Sequence, residues 1–85
     1  MRTVVFHKEG FEQFTAWAKV QPKLFERLVR LINESAKDSF IGIGKPEPLK
    51  GDLKGCWSRR IDEEHRLVYR VTDASITIVS CRDHY

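Results

Sequence analysis

No apolar run in this chain approaches the ~20 residues needed to cross a bilayer as a helix, and there are only two cysteines, Cys56 and Cys81. These stand alone, without the C-x-x-C spacing of a redox or zinc site and without the density of a disulfide-stapled secreted domain. Met1 to His7 carries only a short apolar stretch before polar residues. Neither a signal peptide nor a membrane partner is therefore expected, and a reduced cytoplasmic setting is the simplest. Internal repeats and low-complexity tracts are absent as well. Charge of one sign is in short supply: 15 Lys and Arg against 12 Asp and Glu leave a formal net charge of +3, with a pI near 9.1. That excess lies at the margin where nucleic acid becomes an attractive partner and decides nothing alone. The 85 residues are expected to form one domain, 1–85, whose core must draw on most of the apolar residues.

What the chain does contain is a hairpin around which the rest is organised. Trp57 to Ile61 and His65 to Val71 alternate aromatic, β-branched and polar residues, and Asp62-Glu63-Glu64 between them is too polar to continue a buried strand. A turn centred on Glu63 sets Arg60 opposite Arg66. Two guanidinium groups facing one another on a sheet repel, which suggests an anion such as phosphate above them. The simpler reading makes both of them solvated surface charges. Against that reading, the loop feeding the hairpin also supplies Glu47 and Lys50, fixed by Pro46 and Pro48.

The flanking segments predict an α+β arrangement. Arg2 to His7 reads as a first strand, with Val4 and Phe6 on one face and Val5 on the other. Phe11, Phe14 and Ala18, with Trp17 widening the stripe, predict a helix over 8–19 that buries its aromatics in the core. Pro22 opens a second helix that runs to about Lys37, with Leu24, Phe25, Leu28, Leu31 and Ile32 on its apolar face. The helical pair needs a sheet to cover that face. Ser39 to Gly55, rich in Gly and Pro, reads as a long ordered loop more than as strand or helix. After the hairpin, Thr72 to Ser75 turns and Ile76 to Cys81 forms a last strand. Alternation there puts Ile76, Ile78, Ser80, Arg82 and His84 on one side, with Val79, Cys81 and Tyr85 on the other. Three strands in a meander carry the C-terminus beside the central hairpin.

Glu47, Lys50, Arg60, Arg66, His84 and Tyr85 then fall within one region, and no pair has the spacing of a zinc site. No metal or other cofactor is expected. One carboxylate, one imidazole and several cations suit cleavage of RNA by its own 2′-hydroxyl, which needs a base, an acid for the leaving group and donors for the pentavalent phosphorane. Glu47 would accept the 2′-OH proton, with burial sharpening it as a base. Arg66 and Arg60 would hold the non-bridging oxygens through paired donors, and Lys50 would add charge. His84 would protonate the leaving 5′-oxygen, helped by Asp83 beside it. The plainer alternative treats His84 and Tyr85 as a terminus without a role. His7 and His65 are assigned none: His65, opposite Ile61, is expected to pack at the turn.

Four blocks together carry a family resemblance: Lys-Pro-Glu-Pro-Leu-Lys-Gly-Asp-Leu at 45–53, Trp-Ser-Arg-Arg-Ile at 57–61, Glu-His-Arg-Leu-Val-Tyr at 64–69 and the terminal His-Tyr. The sequence resembles the YoeB/Txe toxins, RelE-like mRNA interferases of bacterial toxin–antitoxin systems, over its whole length. The resemblance implies a microbial-RNase-like α+β fold with two N-terminal helices on a small antiparallel sheet. It implies cleavage of mRNA in the A site of the 70S ribosome, and a cognate YefM/Axe-type antitoxin whose C-terminal segment wraps the toxin. Promoter DNA would be met only as a toxin–antitoxin complex, and a homodimer is left open. By the same resemblance Glu47 is the general base, His84 the general acid and Arg66 the phosphate-binding arginine, with Lys50, Arg60 and Tyr85 in support. Two positions depart from the pattern. Cys56 stands where relatives often carry an aromatic before the tryptophan, and Asp83 where an aromatic often precedes His-Tyr.

Two other functions fit the same cations. One is a non-catalytic RNA- or ribosome-binding module that only holds phosphate. The other is a corepressor that meets DNA only through an antitoxin.

Overall fold

The structure is a computed structural model that describes residues 1–83. Strand β1 (Thr3–Phe6) leads into helices α1 (Lys8–Val20) and α2 (Pro22–Lys37). A short strand β2 (Glu47–Pro48), a single 3-10 turn (Gly51–Leu53) and strands β3 (Cys56–Arg60), β4 (Arg66–Val71) and β5 (Ser75–Ser80) follow. The five strands form one sheet in the order β1-β5-β4-β3-β2. Its β2 to β5 part is antiparallel, as expected, whereas β1 joins the outer edge of β5 in parallel, making the sheet mixed. Among the described residues no helix is long and apolar enough to cross a membrane.

Both helices lie on one face of the sheet. Pro22 occupies the first turn of α2, where its missing N–H costs nothing, and Gln21 makes the break from α1. Leu28, Leu31, Ile32 and Ala36 of α2 and Trp17 of α1 meet Ile61, Leu67, Tyr69, Ile76, Ile78 and Cys81 in the main core. The apolar stripe of α1 is rotated from the expected one. Phe11 and Ala18 are exposed, while Gly10 and Trp17 are buried with Phe14 beside them. Gly10 explains the rotation: a Cβ there would collide with the Ile78 carbonyl oxygen, so α1 approaches β5 backbone to backbone only through glycine.

A second, smaller core of Leu49, Cys56 and Val68, with Leu53 and Val79 against it, covers part of the opposite face. It explains why 39–55 is more structured than a loop. Glu47 pairs with Ser58 and Pro48 with Trp57, the Leu49 N–H donates to the Cys56 carbonyl at 2.9 Å, and Leu49 is buried below. Cys56, in place of an aromatic, is thus a packing residue. The alternation expected along the last strand fails at a bulge. Ile78 pairs with Tyr69, but Ser80 pairs with Val68, so Val79 joins the second core and Cys81 returns to the main one.

Candidate active site

The site is built on the face of the sheet away from the helices. Side chains two apart on a strand share a face, so Ser58 and Arg60 of β3 lie on the side of Arg66 and Val68 of β4. The register confirms the hairpin: Arg60 is opposite Arg66, and Ser58 is opposite Val68. Glu47 faces Ser58 across the β2–β3 pair. Glu47, Ser58, Val68 and Ser80 therefore form one row across four strands, with Arg60 and Arg66 in the next. Two strand spacings across and one same-face step along separate Glu47 from Arg66, about 10 Å by about 7 Å. Two long side chains reaching inward across that gap leave room for a phosphodiester.

Arg60 is exposed and Arg66 half-buried. Their repulsion is eased within the chain, because Arg66 Nη1 donates to the carbonyls of Asp62 at 2.7 Å and His65 at 3.1 Å. The anion suggested by their opposition is thus not required for folding. Among the described residues those two carbonyls hold Nη1 alone, leaving Nε and Nη2 to donate. Lys50 is exposed at the start of the 3-10 turn. Glu47 is exposed too, so the burial expected to sharpen it as a base is lacking in the isolated chain. His84 and Tyr85 lie outside the described residues. The residues before them run beside β4: the Arg66 N–H donates to the Asp83 carbonyl at 2.9 Å.

A cavity of about 280 Å³ adjoins the row, lined by Val68 and Ser80 from the sheet, Val79, Leu53, Glu9 and Gln13 of α1, and Arg82 and Asp83. Five of these eight side chains are polar or charged, which suits a nucleotide better than an apolar ligand.

Four side chains given no role in the site from sequence matter here. Arg59 is fully buried. Its Nε donates to the Tyr69 hydroxyl at 3.0 Å, its Nη1 to the Ile43 carbonyl at 3.1 Å, and its Nη2 to the carbonyls of Ile41, at 3.1 Å, and Asp38. Trp17 is core, as expected, but its Nε1 also donates to the Cys81 carbonyl at 2.7 Å. Gln13 Oε1 accepts the Cys81 N–H at 2.7 Å. His65 packs edge-on against Trp17 with ring centroids 4.7 Å apart. The Arg59 signal was present in sequence, since it shares the phase of Trp57 and Ile61 on a strand; Gln13 gave none.

Glu64, His65 and Asp83 offer possible metal-ligand atoms within 4.8 Å of one another. His65 Nδ1, however, accepts the Asp83 N–H at 2.8 Å, so an ion there would be left with Nε2 or would have to displace the amide. The Cys81 thiol is buried, and burial pushes its pKa up to about 12 against the smaller pull of Arg82. It is a packing group, not a nucleophile.

A sequence profile described as the YoeB-like toxin of bacterial type II toxin-antitoxin systems matches residues 6–85. The toxin YoeB of Streptomyces coelicolor is 52% identical over 82 residues, covering 96% of this chain and 98% of the relative. The YoeB/ParE toxin structure from Agrobacterium tumefaciens superposes with a TM-score of 0.93 at 39% identity, covering 98% of this chain and 99% of the other. The toxin in a YoeB-YefM complex from Staphylococcus aureus gives 0.89 at 38% identity, covering 100% and 99%. Agreement at this level, over nearly the full length of the chain, means that the chain belongs to the YoeB-like toxins of bacterial type II toxin–antitoxin systems.

Proposed function

We propose that this toxin is an endoribonuclease that cleaves mRNA in the A site of the ribosome. The 2′-oxygen of the nucleotide on the 5′ side attacks phosphorus as Glu47 takes its proton, the P–O5′ bond breaks, and His84 protonates the departing 5′-oxygen. The products are a 2′,3′-cyclic phosphate and a 5′-hydroxyl, so atoms and charge balance without a redox partner. Arg66 Nε and Nη2 form a two-donor edge for the non-bridging oxygens, where charge grows in the transition state. Arg60 and Lys50 add positive charge, and Tyr85 supports the substrate. The observation that carries this reading is the register that sets Glu47, Arg60 and Arg66 on one open face, with Asp83, next to His84, bonded to Arg66 at the end of that face.

The exposure of Glu47 fits a requirement for the ribosome, because mRNA and the ribosomal surface would supply the enclosure that the free chain lacks. An antitoxin of the YefM kind is the expected partner, as in the Staphylococcus aureus complex, and an acidic segment would complement the net charge of +3. Promoter binding would belong to that complex.

The test is cleavage and binding measured together on programmed ribosomes. Glu47→Ala and His84→Ala are expected to lose cleavage by at least ~100-fold while ribosome affinity changes little, because charge and not proton transfer drives that association. Arg66→Lys should also cut the rate, since an ammonium lacks the paired edge. Variants that cleave as fast as the parent would leave the binding-module reading standing instead.

A further inference from the structure

After β5 the backbone of residues 81–83 is held at four points. The Cys81 N–H donates to Gln13 Oε1 at 2.7 Å, and the Cys81 carbonyl accepts from Trp17 Nε1 at 2.7 Å. The Asp83 N–H donates to His65 Nδ1 at 2.8 Å, and the Asp83 carbonyl accepts from the Arg66 N–H at 2.9 Å. Three of the four partners are side chains, two from α1 and one from the hairpin turn. Cys81 is fully buried between them.

His65 is itself fixed. Trp17 meets its ring edge-on, and its own N–H donates to Asp62 Oδ1 at 2.6 Å. Since Nδ1 accepts the Asp83 amide, the ring is a neutral tautomer with its hydrogen on Nε2. Asp83 has a φ of +61°, in the left-handed region that aspartate enters more readily than most non-glycine residues. The chain thus turns at the residue before His84.

We propose that His65 and Gln13 are positioning residues, which hold the amides of Asp83 and Cys81 and so the backbone that leads into His84. This rests on His84 acting as the general acid. His65 does not touch substrate in this scheme, and Gln13, which also lines the cavity beside the row, acts here through its bond to the Cys81 amide. Each acts through the backbone that carries the acid, and a misplacement of about 1 Å can cost on the order of 100-fold in rate.

The test uses single-turnover cleavage on programmed ribosomes with two mRNAs, one ordinary and one with sulfur replacing the scissile 5′-oxygen, whose thiolate departs without a proton. His65→Leu is expected to slow cleavage of the ordinary mRNA by roughly 10- to 100-fold at unchanged ribosome affinity, and to cleave the thio-substituted mRNA at the parent rate. His65→Asn, which places an acceptor oxygen where Nδ1 stood, should return to within about threefold of the parent. Gln13→Leu should repeat the pattern from a half-exposed position, and it carries the comparison if His65→Leu unfolds. Full activity of these variants on ordinary mRNA, or equal losses on both mRNAs, would overturn the positioning role. Parent-like cleavage by His84→Ala would instead overturn the assignment of the acid.

Discussion

Arg59 and Arg60 are adjacent in sequence and opposite in situation. Arg60 is exposed on the open face, while Arg59 is buried on the helix face and joins Tyr69 to three carbonyls of the segment after α2. The Tyr69 hydroxyl in turn donates to the Ser39 carbonyl at 2.7 Å. Removing the guanidinium strands several buried acceptors at once. Arg59→Met is therefore expected to lower the unfolding free energy by about 3 kcal/mol in urea denaturation, whereas Arg60→Ala should stay within about 0.5 kcal/mol. Strand phase alone would have separated the two, since Trp57, Arg59 and Ile61 alternate. What hid Arg59 is that arginine on a core phase is usually a misjudged register, and its partners are carbonyls, which have no sequence signature.

The elements were legible in proportion to their length. The two helices show in the spacing of Phe14 and Trp17 and of Leu24, Leu28, Leu31 and Ile32, and the β3–β4 hairpin shows in its alternation and acidic turn. Strand β2 does not, because two residues have no period; it exists through pairing with β3 and the burial of Leu49. The exposure of Phe11 has the same kind of cause: Gly10 sits against the β5 backbone and sets the rotation of α1. Gly10→Ala should force α1 away from β5 and cost about 1–3 kcal/mol, read as a lowered melting temperature. A parent-like melting temperature would show that α1 does not need that approach.

At the scale of the molecule, β4 is the centre of the fold. Leu67 and Tyr69 enter the main core and Val68 the second, while Arg66 opens onto the free face. The candidate site draws on three segments that are far apart in sequence, at Glu47, at Arg60 and Arg66, and at the end of the chain. Their residue types were legible, as was the hairpin register. The parallel pairing of β1 with β5 and the hold of α1 on residues 81–83 were not, because both depend on contacts between distant segments that no local pattern encodes. The helices cover one face of the sheet, and the small second core covers only part of the other, on which Arg60 is exposed.

The measurement that bears most directly on the central claim is the effect of one 2′-deoxy nucleotide on the 5′ side of the cut, in mRNA placed in the ribosomal A site. If the RNA supplies its own nucleophile, that single substitution abolishes cleavage, and the ordinary message yields a 2′,3′-cyclic phosphate and a 5′-hydroxyl. Continued cleavage of the deoxy-substituted message, or ends bearing a 5′-phosphate, would contradict the account.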